Sequence, residues 1–212
     1  VTTPLNTVND LALDGAPIDG GLYTWFTRQA QSAPHWLDDL VSFYATLGLG
    51  VFALLMIWGW WQARQARSAA AMATALAVPV AVVLAYVVND LLKSVFTEVR
   101  PCQAIAHTVT LQPCPGVGDW SFPSNHSTIA AASAAALWIL DRRIGIVASV
   151  LALFMAFSRV WVGAHYPHDV VVGLVVGALV AAPATLAARR YAPPLVVRLQ
   201  SGMLRPLLTA AD

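Results

Sequence analysis

Residues 144–188 read "IGIVASVLALFMAFSRVWVGAHYPHDVVVGLVVGALVAAPATLAA", two apolar runs with Arg159, His165, His168 and Asp169 wedged between them. Apolar runs that stop at such groups read as membrane segments whose polar ends lie at the surface. The rest of the chain has the same character. Of 212 residues, 58% are hydrophobic and 11% charged, and the mean hydropathy is +0.65, outside the ordinary range of soluble domains. The reading is an all-α, polytopic membrane helical bundle. A net charge of +1 and the lack of any basic run exclude nucleic acid as a partner.

A bilayer crossing needs roughly 20 residues of helix. Five apolar stretches are candidates, at 40–61, 69–92, 127–140, 144–158 and 170–188. The third and fourth are short as written and cross only if helix continues into the flanking polar motifs. Lys and Arg collect in short cytoplasmic loops. Arg64 with Arg67, Arg142 with Arg143, and Arg189 with Arg190 alternate along the spans onto one face, which is therefore the cytoplasmic one. Asp10, Asp14, Asp19, Asp38 and Asp39 then lie outside, with Arg28, Lys93, Arg100 and Arg159 as the external cations.

The start of the chain lacks the pattern of a cleavable signal peptide. It reads as a translocated acidic segment whose "GLYTWFTRQAQSAPHWL", residues 21–37, lies in the outer interface as a helix. With no repeat or linker, the organisation is an external segment 1–39, a transmembrane domain 40–190 and a cytoplasmic tail 191–212, broken by Pro193, Pro194 and Pro206. Cys102 and Cys114 share the external loop between the second and third spans. Two readings stand for them: a disulfide that stiffens the loop, and two free thiols.

Three polar clusters sit at outer span ends. "KSVFTEVRP" places Lys93 and Arg100 seven residues apart, about 10 Å along one face if helical; alone, they read equally as snorkelling cations. "FPSNHS" puts Pro123, Ser124, Asn125 and His126 at a helix start, whose free N–H groups favour anions; alone, it is also an ordinary capped helix. In the third cluster, His165 and Asp169 are four apart and within reach on one helical face. A carboxylate on one ring nitrogen frees the other as nucleophile or base. The same pair serves equally as a structural hydrogen bond or as two metal ligands, though no matched further ligand set lies on that side. His168 points about a hundred degrees from Asp169 and reads as an interfacial bystander.

Topology brings these clusters to one surface. Three cations with helix-end N–H groups suit a phosphate dianion, and a carboxylate-oriented histidine beside it suits covalent phosphoryl transfer without a metal.

At these residues the chain resembles the type 2 phosphatidic acid phosphatases, which share their site with vanadium haloperoxidases. That pattern is K-x6-RP, PSGH and SR-x5-H-x3-D. Lys93 to Pro101 matches the first part, and Ser158, Arg159, His165 and Asp169 match the third. The second departs once, with Asn125 in place of Gly. The resemblance covers residues 90 to 185. It implies that Lys93, Arg100 and Arg159 hold phosphate, assisted by Ser124 and the Asn125 backbone. It further implies that His165 attacks phosphorus, Asp169 orients it, and His126 protonates the leaving oxygen and later activates water. No cofactor or metal is implied.

The expected substrate is a lipid phosphate or diphosphate met at the outer face of a plasma membrane. The size and layout resemble the bacterial undecaprenyl-diphosphate phosphatases most. Phosphatidylglycerophosphate, phosphatidic acid and other prenyl phosphates use the same residues, and Asn125 adds a donor and an acceptor that bear on the choice. A haloperoxidase and a non-enzymatic lipid-binding or transport protein are the alternatives from other classes.

Overall fold

The computed structural model describes residues 13–209. The acidic start with Asp10 and the last three residues of the tail lie outside the described residues. Two amphipathic helices come first, α1 (Ala16–Ser32) and α2 (His35–Leu47). They are followed by α3 (Leu49–Gln65), α4 (Ala69–Val95), a single turn α5 (Pro101–Ala104), α6 (Asn125–Leu140), α7 (Arg142–Trp161) and α8 (Pro167–Tyr191). The short helices α9 (Pro193–Gln200) and α10 (Arg205–Leu208) complete the chain, and an isolated bridge between Leu13 and Glu98 is the one piece of β pairing among the described residues.

Helices α4, α7 and α8 are long and apolar enough to cross a bilayer. The first apolar stretch is corrected. Residues 40–61 do not form one straight span; α2 and α3 meet at Gly48 with a 55° bend and together amount to a fourth candidate. The bend brings Gly48 against the Tyr44 carbonyl and Met155, where a side chain has no room. At 16 residues, α6 is about 24 Å long, shorter than the crossings around it. The fourth apolar stretch does continue into its motif, since α7 runs through Ser158 and Arg159.

Helix α6 is the centre of the bundle, packed against α4, α7 and α8. Its sequence explains how. Ala130, Ala132, Ala134 and Ala136 are all buried, and between membrane helices small residues let backbones approach closely. On α8 the matching positions are Gly173 and Gly177. A Cβ on Gly173 would lie 2.6 Å from the Ser124 carbonyl oxygen, and one on Gly177 would strike the Thr128 carbonyl. Thr128 Oγ1 lies 3.1 Å from the Gly173 carbonyl at the same contact.

At the end away from the polar clusters, Asp141 caps α7 through the N–H groups of Arg143 and Ile144, at 2.8 and 3.0 Å. Arg189 donates to the Ile139 carbonyl at 2.9 Å, near the carbonyl-rich end of α6. The tail packs there too, with Arg64 Nε on the Pro206 carbonyl at 2.8 Å and Leu208 buried beside Met72.

Gly177→Val is expected to destabilise the bundle by about 1–3 kcal/mol through overpacking. Gly50→Val, where an added Cβ meets nothing within 4 Å, should be near neutral. Thermal unfolding of the two variants in detergent checks the difference.

Candidate active site

Chain direction alternates along the bundle, so the C-terminal ends of α4 and α7 and the N-terminal ends of α6 and α8 share one face. A cavity of about 300 Å³ opens there. Lys93, Arg100, Asn125, His126, Arg159 and His165 all line it, together with loop residues that include Gln112, Asp119 and both cysteines. Asp169 stands behind His165 with no exposure. Ser124 is not on the wall; it is fully buried and caps α6, its hydroxyl accepting from Ser127 Oγ at 3.2 Å. Cys102 and Cys114 are joined in a disulfide, Cα to Cα 6.0 Å, at the rim.

The two cations of the first cluster do not share a helix. Helix α4 stops at Val95, and Arg100 stands in extended backbone (φ −63°, ψ 144°), the conformation that a following proline imposes. Residues 97–99 pair with Leu13 instead, the Leu13 N–H donating to Thr97 at 2.8 Å and the Val99 N–H to Leu13 at 2.9 Å.

Each cation is fixed by acceptors. Lys93 Nζ donates to the Trp120 carbonyl at 2.9 Å. Arg100 uses Nη2 on Asp119 Oδ1 and Nη1 on the Ala164 carbonyl, both at 2.8 Å. Arg159 Nη1 donates to the Ala45 carbonyl and to Gln112 Oε1, both at 3.1 Å, while its buried Nε has no partner. Three like charges around one cavity repel one another, and an unpaired buried donor is costly. An anion bound between them relieves the repulsion.

The contacts of His165 select one tautomer. Nδ1 lies 3.2 Å from Asp169 Oδ2, which only accepts, so Nδ1 carries the proton. Nε2 lies 3.4 Å from Arg100 Nη1, which only donates, so Nε2 keeps its lone pair. Burial pushes the imidazole well below its ordinary pKa range, and the nearby Arg100, Arg159 and Lys93 charges add to this. The ring is thus neutral, with a nucleophilic nitrogen among three cations.

The pair forms at a helix cap rather than along one helical face. His165 precedes α8, and Asp169, in its first turn, reaches back to accept the Tyr166 N–H at 2.9 Å. Ser121 Oγ also donates to the same Asp169 oxygen. His168 is not a bystander. Its ring lies between Asp19 Oδ1 at 2.8 Å and Glu98 Oε2 at 3.0 Å.

The supporting residues that sequence reasoning missed are Asn89, Gln112, Asp119 and Ser121. Asn89, one turn before Lys93, donates to the Pro123 carbonyl at 3.3 Å and to Asn125 Oδ1 at 2.6 Å. Because a carbonyl only accepts, Asn89 presents its nitrogen on this side, and Asn125 must answer with its oxygen. Among the described residues, the Asn125 amide nitrogen has no hydrogen-bond partner. Asn89's position one turn from Lys93 was a readable signal; the loop residues offered none.

The PAP2 superfamily model matches residues 74–192, from α4 to the end of α8, and so contains every residue from Lys93 to Asp169. The chain belongs to the PAP2 superfamily. It is a membrane phosphatase of that family. It is similar to the undecaprenyl-diphosphatase BcrC of Bacillus subtilis (strain 168), with 35% identity over 146 residues, 68% of this chain and 71% of the relative. It is also similar to the putative undecaprenyl-diphosphatase YbjG of Escherichia coli (strain K12), 28% identical over 181 residues, 85% and 87% of the two chains. In fold, this PAP2 chain is similar to Aquifex aeolicus LpxE, with a TM-score of 0.63 at 22% identity across 82% of this chain and 96% of that one.

On acidification through the ordinary imidazole range, the unfolded chain takes up a proton at His165 that the folded site refuses. Folded stability therefore falls as pH falls. The thermal midpoint of the wild type should drop further between pH 7.5 and 5.5 than that of His165→Gln; equal drops would contradict the neutral ring.

Proposed function

We propose that this PAP2 phosphatase hydrolyses a lipid diphosphate at the extracytoplasmic face through a phosphohistidine, with undecaprenyl diphosphate as substrate and undecaprenyl phosphate and inorganic phosphate as products. The observation that carries the mechanism is the orientation of His165, with Nδ1 on Asp169 and the Nε2 lone pair facing a cavity ringed by Lys93, Arg100 and Arg159. The names of the relatives support the substrate, and the alternation of cations along the bundle supports the face.

In the first step Nε2 of His165 forms a bond to the terminal phosphorus as the bridging P–O bond breaks. His126, on the same cavity wall, takes up a proton as the anionic substrate binds and gives it to the departing oxygen of the lipid phosphate. Asp169 stabilises the cationic ring that results. In the second step His126 takes a proton from water, whose oxygen attacks phosphorus and breaks the P–N bond. Lys93, Arg100 and Arg159 neutralise the equatorial oxygens throughout.

Asn125 bears on substrate choice. Its amide nitrogen, without a partner among the described residues, is a donor on the cavity wall that also carries His126, and a diphosphate brings to that cavity an anionic leaving phosphate that a monoester lacks.

The deciding experiment measures inorganic phosphate release by purified protein with EDTA present, across undecaprenyl diphosphate, undecaprenyl phosphate, phosphatidic acid and phosphatidylglycerophosphate. Undecaprenyl diphosphate should react fastest. A glycerolipid reacting fastest would keep the chemistry and overturn the substrate, and no release from any would leave a binding protein. His165→Ala should abolish turnover with the fold intact, and Lys93→Ala should lower kcat/KM about 100-fold or more by loss of transition-state stabilisation.

Asn125→Gly, and Asn89→Leu by releasing the amide, should lower the ratio of diphosphate to monophosphate kcat/KM about tenfold, the value of one hydrogen bond to a charged group. An unchanged ratio would remove Asn125 from recognition.

A further inference from the structure

His168 is the most heavily contacted ionisable group outside the cavity wall. Its backbone N–H donates to Asp19 Oδ2 at 2.7 Å while its Nδ1 meets Asp19 Oδ1 at 2.8 Å, so one carboxylate grips both the backbone and the ring. On the other side Nε2 meets Glu98 Oε2 at 3.0 Å and Oε1 at 3.2 Å. The ring is stacked on Tyr166, centroids 5.4 Å apart at 16°, and packed against Phe122 at 5.8 Å. Helix α1 gives up its regular backbone at Asp19 (φ −148°, ψ 26°), where that grip is made.

Carboxylate oxygens accept and do not donate. A neutral imidazole has one N–H and satisfies only one of its two carboxylate neighbours; with carboxylates at both nitrogens, the ring carries both protons and a positive charge. The groups that face it are Asp19 from α1, Glu98 from the stretch before Arg100, and Asp169 from α8. Asp169 matters most. Its Oδ2 takes the bonds from His165, Ser121 and Tyr166, whereas its buried Oδ1 has no hydrogen-bond partner and lies 3.5 Å from His168 Nε2.

We infer that His168 is a positioning residue, a fixed imidazolium that faces the free oxygen of Asp169 and ties helix α1 and the segment around Glu98 to the carboxylate that orients His165. Buried carboxylates need a compensating charge, and His168 supplies it without competing with His165 for Oδ2. Helix α1 thereby becomes part of the catalytic assembly, since Asp19 holds the cation in place. The inference rests on the proposed role of Asp169 behind the nucleophile. Glu98, His168 and Asp169 also stand close enough to hold a metal ion. A metal at Nε2 requires an unprotonated nitrogen, which is the opposite state.

The test has two arms. In wild-type protein with 15N-labelled histidine, His168, assigned by its loss in His168→Gln, should show both ring nitrogens protonated at pH 7. An unprotonated Nε2 overturns the inference, and if EDTA then changes its signal the site holds a metal. In the second arm, His168→Gln, which keeps polar contacts and loses the charge, should lower kcat about 10- to 100-fold with KM within twofold, the scale seen when a histidine's outer partner is removed elsewhere. Asp19→Asn, remote from the cavity, should lower kcat in the same direction and by less, and the double variant should be no worse than His168→Gln. Activity is expressed per folded protein, with unfolding midpoints measured alongside. Unchanged kcat in both variants overturns the inference while leaving the phosphatase reading intact. A wild type inactive on every lipid defeats that reading, and the NMR arm still decides the charge of His168.

Discussion

A single carboxylate without solvent contact, Asp169, organises the polar end of this bundle. Burying a charge is tolerated only when partners replace the lost water. Asp169 draws those partners from four places: His165, Ser121 and the Tyr166 N–H on one oxygen, and the His168 ring facing the other. Its backbone carbonyl accepts the Ser124 N–H at 3.1 Å, so the start of α6 is locked to the start of α8 by the same residue. The tautomer of His165, the cap of α8 and the seat of α6 therefore share one origin.

That arrangement depends on how close α6 and α8 can come. Alanines on one helix and Gly173 and Gly177 on the other bring the backbones together, and at that contact the Thr128 hydroxyl donates to Asn89 Oδ1 at 2.8 Å. Asn89 in turn holds Asn125. A packing feature deep in the apolar bundle is thus two hydrogen bonds away from a side chain on the cavity wall.

Much of the site was legible in the sequence because its key groups recur at fixed spacings: Lys93 with Arg100, Asn125 with His126, Arg159 with His165 and Asp169. The helical class was legible from apolar length alone. The local geometry was less so. Lys93 and Arg100 line one cavity although α4 ends between them, and His165 meets Asp169 at a cap, so these residues came together by conformations that helical spacing did not describe. The bend at Gly48 was hidden because apolar composition is blind to helix direction. His168 was misread because its partners, Asp19 and Glu98, are 149 and 70 residues away in sequence. The loop residues Gln112, Asp119 and Ser121 belong to a segment without periodicity, where position depends wholly on what it folds against.

The partners of the three cations carry one more implication. Arg100 has a carboxylate, Asp119, but Lys93 and Arg159 are held by carbonyl and amide oxygens, which orient a charge without cancelling it. On the proposed chemistry, such a cavity greets the departing phosphate as warmly as the arriving one, since both are anions of the same shape. The share of that attraction common to reactant and product deepens the well at each end of the reaction, and only the excess felt in the transition state lowers the ridge between them. Escape of inorganic phosphate, past the rim braced by Cys102 and Cys114, is then the part of the cycle for which this architecture offers the least help.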